Sequence, residues 1–136
     1  MKLVIDANIL FAALIKEGLT KRLVFSPELC LYSPGFIIEE FVKHKEMLFL
    51  KYGGGQIEFD RTLELLLKQI IIVGEGELCP FLQAAKTLLT DEQDAAYLAC
   101  ALYVGCGIWS NDKEFKKQRR IPVKTTEELV KEVGLL

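Results

Sequence analysis

The chain has 136 residues, 51% of them hydrophobic, and a formal net charge of −2. That length suits one domain with a sizeable core, which excludes a disordered protein, and no apolar run approaches the ~18 residues of a membrane span. The charge excludes a protein that coats nucleic acid by bulk electrostatics, although an acidic site and a basic rim would cancel in the sum.

In chain order, Lys2 to Asp6 reads as a β-branched, apolar strand, and Ala7 to Lys16 as a helix ended by Gly18. A short helix, Thr20 to Phe25, stops before Pro27, and Leu29 to Tyr32 forms a second strand. Ser33-Pro34 is good chemistry for starting a helix, with Ser as cap and Pro at the first position, running to about Lys51. Gly53-Gly54-Gly55 breaks the chain before a helix from Gln56 to Lys68. Ile70 to Val73 reads as a buried strand closed by Gly74 and Gly76. Pro80 to Leu89 is the next helix. Thr90 with Gln93 has the pattern of a capping box for a helix carrying Ala95 to Val104, ended by Gly105. Gly107 to Trp109 is a short strand, Asn111 to Lys117 a turn into a short helix, Val123 a last strand, and Thr125 to Val133 a closing helix. Strands alternating with helices predict an α/β fold with a mostly parallel sheet. No linker, repeat or low-complexity stretch divides the chain, so residues 1–136 are expected to form a single domain.

Four acids stand where apolar elements run out. Asp6 ends Leu3-Val4-Ile5, and Asp112 follows Gly107-Ile108-Trp109; both are strand ends, where sites form in such sheets. The ordinary role for Asp6 is to cap the helix at Ala7, but Asn8 is a second candidate cap that would leave Asp6 freer. Glu40 falls within the stripe Phe36, Ile37, Phe41, His44, Met47 and Leu48, whereas Glu39 lies outside it, four before Lys43, where an exposed ion pair accounts for it. Asp91 sits in a first helical turn, where the helix dipole favours any acid; Asp94 lies beyond it, beside small Ala95 and Ala96. Ser110-Asn111-Asp112 is also good turn chemistry. Carboxylates at a core edge need a cation, and four converging would suit Mg²⁺ or Mn²⁺ and phosphoryl-transfer chemistry. The basic run after Asp112 is either a solvated face or, through Lys116, Lys117, Arg119 and Arg120, a grip on an RNA backbone. His44 is expected to be a partly buried helix residue and Trp109 a core residue.

The four cysteines, Cys30, Cys79, Cys100 and Cys106, are scattered without a CxxC, and His44 is the only histidine. This argues against a zinc site or a disulfide framework and for reduced thiols in a cytoplasmic protein. The opening MKLVIDANIL lacks the basic then apolar regions of a signal peptide, so none is expected, nor any membrane association.

Asp6 with Asn8, a Glu on an early helix after Ser-Pro, Thr90-Asp91-Glu92-Gln93-Asp94-Ala95-Ala96-Tyr97-Leu98-Ala99, and Ser110-Asn111-Asp112, in that order, resemble the PIN-domain ribonucleases, a group that includes the VapC toxins of prokaryotic toxin–antitoxin pairs. The resemblance covers nearly the whole chain. It implies a three-layer, Rossmann-like domain and an Mg²⁺- or Mn²⁺-dependent endonuclease acting on RNA. Asp6, Glu40, Asp94 and Asp112 match the family's acidic quartet, and Asn8 and Ser110 its supporting polar positions; Asp91, Asn111 and Glu39 lie beside them, and Glu39 leaves the second acid open by one position. The stretch from Phe41 to Ile70 is longer than in a compact VapC-like toxin. The resemblance further implies dimerisation and, for a toxin, a cognate antitoxin protein.

Other classes fit less well. A haloacid-dehalogenase-type phosphatase needs Asp-x-Asp at the first strand, where this chain has Asn8, and a phospho-receiver needs an acidic pair where only Asp6 stands. A catalytically silent PIN-like module that binds RNA or protein is the main alternative, against which the four retained acids speak.

Overall fold

A computed structural model describes residues 1–135 of the chain. Its five strands are β1 (Lys2–Ile5), β2 (Cys30–Pro34), β3 (Ile70–Val73), β4 (Gly107–Trp109) and β5 (Val123–Lys124). All pair in parallel, in the order β3-β2-β1-β4-β5. The helices are α1 (Ala7–Ile15), α2 (Leu19–Val24), α3 (Phe36–Tyr52), α4 (Gln56–Leu67), α5 (Glu75–Leu88), α6 (Glu92–Val104) and α7 (Thr126–Glu132), with a 3-10 turn at Lys113–Lys117. Alternating strand residues feed two cores. Leu3, Ile5, Leu31 and Trp109 pack under α1, α2, α3, α4 and α7. Val4 and Ile108 pack under α5 and α6. The result is the three-layer α/β arrangement that the sequence predicts, with β1 apolar on both faces because both are covered.

From β1 the chain steps outward through β2 to β3, then returns to lay β4 on the other side of β1. The carboxyl ends of β1 and β4 therefore flank the point where strand order reverses, the place where open parallel sheets leave a crevice. Two glycines make the return possible. Gly105 ends α6 with φ of 77°, a left-handed conformation that costs glycine nothing. Gly107 has no room for a side chain, since a Cβ there would lie 2.8 Å from the Pro122 carbonyl. That carbonyl accepts the Ile108 N–H at 2.9 Å.

Several local expectations need correction. Ser33 and Pro34 do not open α3; they continue β2, paired with Ile72 and Val73, and the Ser33 hydroxyl donates to the Ile5 carbonyl at 3.0 Å. That bond satisfies a buried serine within the sheet, and α3 starts only after Gly35. α5 begins at Glu75, not at Pro80, because Gly74 turns the chain and Glu75 and Glu77 suit the positive end of a helix. Pro80 then falls early in the helix, where it forfeits a single bond to Gly76. Asp91, not Thr90, caps α6, its Oδ1 accepting the N–H groups of Gln93 (2.9 Å) and Asp94 (3.0 Å). β3 is not a buried strand: it lies at the sheet edge, and Ile71 and Ile72 are 50% and 43% exposed. Met47 is exposed rather than on the packed face of α3. Trp109 is core, and His44 is partly buried.

Candidate metal centre

Asp6 follows β1 directly and is 5% exposed. It, and not Asn8, caps α1: its Oδ1 accepts the Ile9 N–H at 3.1 Å. Its Oδ2 accepts a short hydrogen bond from the hydroxyl of Ser110, a buried residue just past β4. The Ser110 Oγ also accepts the Asp112 N–H at 3.0 Å, and Asp112 caps the following 3-10 turn through Glu114 N–H at 2.9 Å. One serine thus ties the ends of the two central strands together and sets the backbone of the last acid.

Glu40 projects from the second turn of α3 and Asp94 from the first turn of α6. Together with Asp6 and Asp112 they line one small cavity of about 120 Å³, whose wall also includes Asn8, Phe36, Gln93, Tyr97 and Phe115. No lysine or arginine is in that wall. Glu40 meets His44 at 3.5 Å. The expected pair between Glu39 and Lys43 is not formed among the described residues; Glu39 instead faces a larger neighbouring groove with Glu75 and Glu92.

The crowding of negative charge is visible in the acid–base behaviour. Asp94 is pushed up to about 6, first by burial and then by repulsion from Asp91, Asp112, Glu114 and Asp6. Burial also raises Asp6, and Asp112 adds to this, against the lowering effect of the Ser110 hydroxyl and the Ile9 amide.

Other candidates stand apart. Asp91 is occupied as a helix cap and does not reach the cavity wall. Asn111 braces α7: its amide donates to Thr126 Oγ1 at 3.0 Å and its carbonyl accepts the Thr126 N–H at 2.8 Å. Lys116 pairs with Glu128 at 3.1 Å and Lys117 with Glu114 at 2.7 Å. Arg119 and Arg120 are exposed and make no ion pair among the described residues. Tyr97 is a member of the cavity wall that the sequence reading does not single out; the signal for it is its position three residues after Asp94, on the same helix face.

The donor set is all carboxylate oxygen, which suits a hard divalent cation. Among the described residues, no three acids stand close enough to enclose an ion as they are placed. A site of this kind fits a cation that takes one or two carboxylates directly and keeps much of its water, as Mg²⁺ does.

A parallel α/β domain with carboxylates gathered at its strand-order reversal is the class that fold and geometry define. The family model of the PIN domain matches residues 4–133, and the chain belongs to that family. No curated protein sequence matches it. Among solved structures, VapBC2 from Rickettsia felis, bound to a DNA fragment from its promoter, aligns with a TM-score of 0.71 at 12% identity, covering 92% of this chain and 98% of that one. PAE2754 from Pyrobaculum aerophilum aligns with a TM-score of 0.68 at 16% identity, covering 100% and 97%. A toxin–antitoxin complex from Klebsiella pneumoniae aligns with a TM-score of 0.64 at 17% identity, covering 91% and 97%. Likeness at such identities speaks for the fold. No helix among the described residues is long and apolar enough to cross a membrane.

Proposed function

We propose that residues 1–136 form a single nuclease domain that hydrolyses RNA phosphodiester bonds with Mg²⁺ or Mn²⁺, and that the chain is the toxin of a toxin–antitoxin pair, working in the cytoplasm. The observation that carries the reading is the convergence of Asp6, Glu40, Asp94 and Asp112, from separate elements, on one cavity without a cationic side chain in its wall. Membership of a family whose usual activity is nuclease cleavage supports it. The toxin assignment is supported by the toxin–antitoxin complexes among the structural neighbours. A homodimer is supported by the exposed apolar residues Ile38, Val42 and Leu50 along α3.

In this reading Asp6, Glu40, Asp94 and Asp112 hold the cation, with Asn8 beside them. When bound, the cation supplies charge to the phosphate oxygens and makes a water acidic enough to attack near neutral pH. Ser110 and the Ile9 amide hold the Asp6 carboxylate in one orientation. Asp94, pushed up to about 6 by burial and by the surrounding acids in the metal-free protein, is the carboxylate whose charge a cation would relieve most. In this reading Arg119 and Arg120, exposed and free of ion pairs among the described residues, are the groups assigned to an RNA backbone.

The second reading, a silent RNA- or protein-binding module, draws on one observation: no three of the acids enclose an ion as they stand. Cleavage of a panel of single-stranded RNA and DNA, with Mg²⁺, Mn²⁺ or chelator, separates the two. The nuclease cuts RNA only with metal, and Asp94→Asn abolishes the cut. RNA retained on a gel but never cut would leave the binding module standing.

A further inference from the structure

Tyr97 carries a hydroxyl proton for which the fold supplies no acceptor among the described residues. Its side chain is 4% exposed, it lines the acid cavity, and its oxygen has no hydrogen-bond partner among the described residues. Buried hydroxyls are nearly always paired, and a phenylalanine would fill the same space without the penalty of an orphan. The ring cannot turn the hydroxyl out to water. It is held edge-on between Phe36 and Phe115, each with its centroid 6.2 Å away. Burial, then the charges of Asp6 and Glu40, push the phenol well above its ordinary range against the lowering effect of the Ala7 amide, so it stays protonated; that amide faces the oxygen as a donor, and the hydroxyl's own proton is left without an acceptor.

The neighbouring carboxylates are not equivalent as acceptors. Both Asp6 oxygens already accept hydrogen bonds. Asp94 is crowded by four other acids. Glu40 has only the 3.5 Å approach of His44. Phe36 and Glu40 are one turn apart on α3, so the contact with Phe36 lays the phenol along the face of α3 that carries Glu40.

We propose that Tyr97 is a positioning residue for Glu40: its hydroxyl donates to the Glu40 carboxylate when a divalent cation draws that carboxylate into the cavity. This rests on the cation-dependent reading above. Tyr97 touches neither substrate nor cation; it fixes a ligand's orientation, as an outer partner of a metal ligand does.

The test is Mn²⁺ titration calorimetry without RNA, on wild type, Tyr97→Phe, Glu40→Gln and the double variant, with thermal midpoints in chelator alongside. Tyr97→Phe should weaken Mn²⁺ binding roughly tenfold, yet leave the metal-free midpoint little changed, because the hydroxyl's proton has no acceptor in the metal-free fold. The double variant should bind no more weakly than Glu40→Gln alone, the mark of two residues acting as one. Unchanged Mn²⁺ affinity in Tyr97→Phe, or losses that simply add, would overturn the role of Tyr97 and leave the cation site standing. A Tyr97→Phe chain that no longer folds would also overturn it, because the hydroxyl would then serve the fold. No Mn²⁺ binding by wild type would instead remove the cation reading itself, and this proposal with it.

Discussion

The hydroxyl of Ser110 donates to the carboxylate of Asp6 across a separation of 104 residues. The bond joins the ends of β1 and β4, the two strands beside which the chain reverses its direction of travel through the sheet. The same oxygen takes the Asp112 N–H, so the first and last acids of the cavity are positioned by one small side chain.

Ser110→Ala should therefore destabilise the protein by about 2 kcal/mol at neutral pH, the usual worth of a hydrogen bond to a charged group. The loss should shrink in acid, where a protonated Asp6 no longer requires that donor. Urea unfolding of wild type and variant at two pH values measures both.

Asp94 should make the metal-free protein more stable in mild acid. Its carboxyl titrates at about 6 in the fold against an ordinary 3.8, so between those values the folded chain holds a proton that the unfolded chain has lost. Stability then rises as the pH falls from neutral through that window, and is lost as the pH climbs back through 6. Because the side chain is partly open to solvent, which screens the repulsion, the gain is about 1 kcal/mol or less. Asp94→Asn should raise the neutral, chelator-treated midpoint by about 3 °C and flatten its pH dependence, while abolishing RNA cleavage.

Arg119→Ala with Arg120→Ala should weaken RNA binding and reduce the salt dependence of log K by about 1.4, near 0.7 for each single-strand phosphate that is no longer neutralised. Lys117→Ala should do less, since Lys117 is already paired with Glu114 at 2.7 Å. Filter binding of a single-stranded RNA at several salt concentrations, with chelator present, separates the contributions. An unchanged slope in the arginine variant would place the RNA elsewhere.

Gly107→Ala should cost about 2 kcal/mol, the range expected for overfilling a tight contact. The new Cβ would meet the Pro122 carbonyl at 2.8 Å, and that carbonyl is held by Ile108 N–H. Denaturant unfolding gives the number, and loss of cleavage should track loss of fold.

Asp6 announces itself in sequence as an acid directly after an apolar strand, whereas Asp112, three residues past Trp109 in good turn chemistry, is legible only together with the other acids; glycine alone is enough to mark the breaks at Gly53 and Gly105. Local competition between equally good signals is harder to read. Ser33-Pro34 looks like a helix start, but the pull of two flanking strands and the Ile5 carbonyl keeps it in the sheet. Thr90 and Asp91 both make good caps, and the residue nearer the helix takes the role. An isoleucine run does not say whether its strand is central or at the edge, because that depends on where later strands add. Tyr97 is hidden for another reason: an aromatic residue in an apolar helix reads as core, and only the packing reveals that it lines the acid cavity.

The acids of the cavity enter the chain at widely spaced points, and the pairing of β1 with β4 closes the arrangement. A growing polypeptide that has emerged only as far as β3 carries Asp6 and Glu40 but has neither Asp94, nor Asp112, nor the serine that holds Asp6. On the proposed function, such a chain still at the ribosome lacks half its ligands while surrounded by RNA. Synthesis order thus acts as a built-in delay, and cutting waits until the C-terminal third has been made and has docked.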